Sequence, residues 1–66
     1  MGRWETVAFE NVRAVGGGLT LIFCEVAGLR VGVPHFLIAP ESEVRKKGDQ
    51  GRLVIPRTLA IDLGLL

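Results

Sequence analysis

Glycine and proline interrupt this chain at intervals of about 8–12 residues, the rhythm of a small all-β sandwich or barrel. The breaks are Gly16-Gly17-Gly18, Ala27-Gly28, Pro34, Pro40-Glu41-Ser42 and Gly48-Asp49-Gln50-Gly51. Each supplies turn chemistry. Between them the residues favour strands. Thr6–Phe9 and Val12–Val15 are rich in β-branched and aromatic types and read as one long bent strand or two short ones. Leu19–Val26 is apolar on both of its alternating faces, which predicts the most buried strand. Leu29-Arg30-Val31-Gly32-Val33 alternates and puts Leu29, Val31 and Val33 on one face. It follows Ala27-Gly28 so closely that a β-hairpin is expected. Phe36 and Ile38 are expected to point the same way on a short following segment, and Arg52–Ile55 is the last strand.

The tail differs in kind. Positions 56–64 read as a short helix, with Pro56 in the first turn or Thr58 as N-cap. Leu59 and Leu63 lie four apart on one face, and Gly64 suits the residue after the C-cap. So short a helix is marginal alone and must pack those leucines on the sheet or on a partner. The expected fold is mainly β, a small antiparallel sheet or partly open barrel of four to six short strands with one short C-terminal helix. Positions 1–66 form a single domain.

A 66-residue chain buries only about 60% of the surface its unfolded form exposes. Small domains supplement their cores with disulfides, metals or oligomerisation. Cys24 is the only cysteine, so no intrachain disulfide forms, and a reducing, cytoplasmic setting is the natural reading. Cys24 and His35 are the only good soft or borderline ligands, so neither metal nor cofactor is expected. The 48% hydrophobic content then predicts a homo-oligomer. No apolar run approaches the roughly 20 residues of a transmembrane helix, and Met1–Glu5 lacks the apolar core of a signal peptide. The net charge of +1 predicts no strong general attraction to nucleic acid or membranes.

Candidate chemistry is sparse. His35 has no acidic or thiol partner in a ligand spacing, and reads as an ordinary loop or strand-edge histidine. Cys24 has apolar neighbours on its face and reads as a small core residue. Glu41 and Glu43 read as surface residues. Of the aromatics, Phe9, Phe23 and Phe36 are expected in the core, leaving Trp4 as the one candidate for base stacking or for capping the core. The one local charge bias is Arg45, Lys46, Lys47, Arg52 and Arg57, opposed over that stretch only by Asp49. A basic hairpin of this kind on a small barrel is suited to phosphates, hence to nucleic acid. The plainer role is solubility and protection of an edge strand. Gly16-Gly17-Gly18 lacks the following lysine and helix of a phosphate loop.

Two resemblances emerge. Gly28–Pro34, Ile38, Ser42-Glu43-Val44, Gly48–Gly51, Leu53-Val54-Ile55, Ala60 and Gly64-Leu65 resemble small uncharacterised proteins of bacteriophage and prophage genomes. Those proteins usually carry tryptophan at the position of Gly32, and serine or threonine at that of Pro56. The resemblance implies a small β-domain with a C-terminal helix in a phage or mobile-element setting, and no activity. Gly51–Arg57 with Leu59, Leu63, Gly64 and Leu65 is similar to the signature of AbrB-type transcription factors, swapped-hairpin dimers that bind DNA. The expected function is a non-enzymatic binding module for a protein or nucleic-acid partner, with no small-molecule substrate. The alternatives are an AbrB-like DNA-binding regulator and a purely structural oligomeric subunit.

Overall fold

The computed structural model describes residues 5–66; Trp4 lies outside them. The chain is mainly β. Four antiparallel strands form one open sheet in the order β3-β2-β1-β4, where β1 is Thr6–Gly17, β2 Leu21–Val26, β3 Leu29–Pro34 and β4 Gln50–Pro56. A 3-10 turn, His35–Leu37, follows β3, and one helix, α1 (Arg57–Asp62), follows β4.

β1 is the single long bent strand. Its alternation would turn Val7 and Phe9 to the same face as Asn11, and Val12 and Ala14 to the other. A bulge between Phe9 and Val12 restores the apolar face. Its extra residue shifts the side-chain parity by one, so Val7, Phe9, Val12 and Ala14 all serve the core. Asn11 takes the positive φ of 58° that the bulge requires, a conformation asparagine tolerates better than most residues. A second register shift lies between Ala14 and Gly16, where β1 pairs with β2. β2 and β3 form the expected hairpin. Ala27 and Gly28 both have positive φ, as a two-residue type I′ turn demands.

From β3, at one edge, the chain must cross the sheet to reach β4 at the other. Segment 35–49 makes that crossing and supplies much of the core's cover. Ile38 and Val44 drop into the cluster formed by Val12, Ala14, Ile22, Cys24, Val26, Val31, Val33, Leu53 and Ile55. The helix adds fully buried Ala60, with Leu59 and Leu63 packed against the same cluster.

Several expectations are corrected. Phe36 is 83% exposed while Ile38 is buried, because the 3-10 turn breaks strand alternation between them. Phe23 is 45% exposed on the outer face, whereas Phe9, though half-buried, packs against the core as expected. Along β2 only one face is covered, so Ile22, Cys24 and Val26 are buried while Leu21 and Phe23 are not; at the end of β4 both faces are covered, and Leu53–Pro56 are all buried. Leu29 is exposed at the sheet's edge, and Leu19 precedes β2 in full solvent. Gly16 and Gly17 belong to β1. The helix is shorter than 56–64: Pro56 ends β4 and serves as N-cap, and neither it nor Thr58 caps by a side chain. Gly64 does close the helix at a φ of 80°. Its N–H donates to Ile61 and that of Leu65 to Ala60, the two bonds of a Schellman motif.

Cys24 is fully buried, and burial pushes its thiol up to about 11. The thiolate is the reactive form. A thiol reagent at pH 8 is therefore expected to label the folded chain slowly and the denatured chain rapidly. Equal rates would show that Cys24 is reached without unfolding.

Candidate functional site

The five basic residues do not converge. Segment 45–49 is a loop rather than half of a hairpin: β4 forms its ladder with β1, and the residues before it meet β4 only through Ala39, Ser42 and Glu43. The Arg45 guanidinium donates to the carbonyls of Ala39 and Pro40, both at 2.9 Å, and so ties the crossing segment together. Arg52 pairs with Glu10 of β1 at 2.9 Å. The hydrogen bond and charge of Glu10, with the charge of Glu43, hold the Arg52 guanidinium in its protonated form more firmly than usual. Arg57 opens α1, at the other end of β4 from the loop, and its N–H donates to Glu5.

Lys46 and Lys47 remain, and neither makes an ion pair among the described residues. Their loop is well anchored. The Asp49 carboxylate accepts the N–H groups of Arg45 and Lys46 at 3.0 and 3.1 Å. Those two bonds, with a smaller contribution from the Lys46 charge, hold the Asp49 carboxyl below its usual range. Gly48 and Asp49 continue the β1–β4 ladder by bonds to Ala14, each 2.9 Å. The two lysines border a shallow cavity of about 240 Å³, together with Gly17, Gly18, Ile22, His35 and Arg45. His35 reaches this place because the crossing begins there. Its Nε2 donates to the Gly18 carbonyl at 3.1 Å, which leaves Nδ1 open. No spacing in the chain links His35 to positions 46 and 47, so sequence reasoning does not group them.

A larger concavity of about 560 Å³ lies between Thr6, Pro56 and the segment Phe36–Glu41. It is mostly apolar, and Glu41 is its one carboxylate. Among the described residues no group of three or more His, Cys, Asp and Glu side chains is placed to hold a metal. No helix among them is long and apolar enough to cross a membrane.

The second notable surface is main chain. A sheet edge presents unpaired N–H and C=O groups. The edge of β4 is covered by the chain itself. Ala39 N–H donates to Val54 O, and Glu43 N–H to Arg52 O. The Ser42 hydroxyl both donates to Val54 O and accepts from Val54 N–H, standing in for a strand residue. Arg52 N–H is taken by the Glu43 carboxylate. Among the described residues, nothing covers the edge of β3 in this way. In a two-residue hairpin the pair flanking the turn, Val26 and Leu29, exchanges hydrogen bonds, and such pairs then alternate. Leu29, Val31 and Val33 therefore direct their N–H and C=O groups at β2. Arg30 and Gly32 direct theirs outward. Pro34, which has no N–H to offer, falls on an outward position too. Sequence patterning yields which residues alternate, but not which strand ends at an edge.

No family model, curated protein or solved structure matches the chain.

Proposed function

We propose that the chain is a non-enzymatic binding module that takes up an extended strand of a protein partner along the edge of β3. One observation supports this reading above others: the chain caps the edge of β4 with Ala39, Ser42 and Glu43, but among the described residues the outward main-chain groups of Arg30 and Gly32 have no partner. Strand addition supplies affinity through those groups and selectivity through alternate side chains. A peptide spanning Gly28–His35, added to isotope-labelled protein, tests it. Slowed amide exchange at Arg30 and Gly32 is the expected result. Protection at β4 on adding the peptide, or fast exchange at Arg30 and Gly32 both with and without it, would overturn it.

A second reading is phosphate contact at Lys46 and Lys47, favoured by their lack of ion pairs beside His35. With Arg45 and Arg52 already engaged, two phosphate contacts remain. The affinity for duplex DNA should then fall with salt at a log–log slope of roughly −2, about 0.9 per contact. Replacing both lysines by alanine should abolish that slope. A slope of equal steepness in the double variant would place the contacts elsewhere. The run from β4 through Pro56 to α1 carries the AbrB resemblance, and DNA binding in that manner is the regulator alternative to strand addition.

A further inference from the structure

We propose that the strand added to β3 is β3 of a second copy, so that two four-stranded sheets join into one of eight strands about a two-fold axis beside Val31. The proposal rests on strand addition at this edge and names its partner. The hydrogen-bond parity of β3 narrows the choice of register. Only Arg30 and Gly32 offer both an N–H and a C=O outward. Pairing Arg30 with Gly32 of the other copy, in both directions, uses all four groups on each strand. Shifting the register by one step, so that Gly32 meets Gly32, sets Arg30 against Pro34, which has no N–H to return.

The side chains fit the same register. On the core side, Val31 meets its own equivalent at the axis, and Leu29 lies opposite Val33. Leu29 is half-exposed in the single chain, whereas Val33 is fully buried. Pairing across the axis covers part of exposed Leu29, while Val33, already fully buried, gains nothing further. On the outer side, Arg30 faces Gly32 of the other copy. That glycine carries no side chain, and the Phe23 ring lies over it, 3.5 Å from where a Cβ would stand. The Arg30 guanidinium thus gains an aromatic face in the other copy, a favourable cation–π arrangement. Glu25, which Arg30 meets at 3.4 Å in the single chain, is released by that move and remains nearby as a counter-charge to the two Arg30 side chains. The interface is isologous, as a closed dimer requires.

Sedimentation equilibrium of the full chain, Gly32→Pro and cysteine cross-linking test the proposal. The wild-type chain should sediment at twice the chain mass. Gly32→Pro removes an outward N–H that the β2–β3 ladder does not use, and should sediment as a folded monomer. On a Cys24→Ala background, Val31→Cys should form a disulfide-linked dimer on oxidation, because residues directly opposite at a non-hydrogen-bonded position are about 4.5 Å apart at Cα. Gly32→Cys should not. Cross-linking at position 32 instead of 31 would overturn the register. A wild-type monomer at every concentration would overturn the dimer, and strand addition would stand if the Gly28–His35 peptide still protected Arg30 and Gly32. A dimer that survives Gly32→Pro, together with fast exchange at Arg30 and Gly32 in the wild-type chain, would overturn the two together. If Gly32→Pro does not fold, amide protection at Arg30 and Gly32 in the wild-type chain decides: it must rise with protein concentration, and a constant value overturns the dimer.

Discussion

Leu53→Ala is expected to cost about 2–5 kcal/mol, enough to leave so small a domain largely unfolded. Leu53 is fully buried at the middle of β4, opposite Phe9 on β1. It faces the cluster that joins the sheet to the crossing segment and to α1. Truncation opens a cavity inside that cluster, and a chain of 66 residues has little further core to repack into it. Urea denaturation followed by circular dichroism measures the effect. Phe23→Ala is the informative comparison. Phenylalanine in a core costs about 3–5 kcal/mol to truncate, but Phe23 is 45% exposed on the uncovered face. It should cost clearly less than Leu53→Ala. The reverse order would mean that the outer face is the buried one. Leu63, half-buried under the helix's last turn, should fall between the two.

That contrast marks where the sequence can be read and where it cannot. The turn at Ala27-Gly28, the β2–β3 hairpin, buried Cys24 and the terminal helix with Gly64 all follow from local chemistry, and the structure has each of them. The exposure of Phe23 does not follow. β2 is apolar on both faces, which resembles a strand buried on two sides. Among the described residues, segment 35–49 with α1 covers β2 on one face only. Phe23 instead lies across Gly16 and Gly32 of the neighbouring strands, using space that their missing side chains leave. The basic residues fail as a group for a related reason. Closeness along the chain groups Arg52 with Lys46 and Lys47, yet β4 carries Arg52 to Glu10, a partner 42 positions away. The crossing segment brings His35 to the lysines. Strand order decides both placements, and no local pattern encodes it. The same holds for the bare edge of β3: its alternation is plain in Leu29–Val33, but its place at the end of the sheet is set by β4 pairing with β1.

Gly51→Ala is expected to destabilise the domain by more than a change of one methyl group at a half-exposed position suggests, and for two separable reasons. The first is backbone. Gly51 has a φ of 147°, a region that a side chain makes costly, of order 1–3 kcal/mol for a single residue. The second is steric. A Cβ at position 51 would collide with the Glu43 carboxylate and stand 3.2 Å from the Glu43 Cβ. That carboxylate accepts the Arg52 N–H at 2.9 Å and helps to seal the edge of β4. The alanine must therefore displace Glu43 and expose the edge, or push the crossing segment away from the strand. Glu43→Ala alone should cost little, since it loses one exposed hydrogen bond. The two changes should not add. Residues in contact couple, and shortening Glu43 removes the collision while leaving the backbone cost in place. Gly51→Ala/Glu43→Ala should be less destabilised than the sum of the single variants, and no more stable than Glu43→Ala. Strict additivity in a denaturation double-mutant cycle would show that Glu43 does not occupy the space above Gly51. A fully rescued double variant would show that the backbone at Gly51 carries no cost of its own.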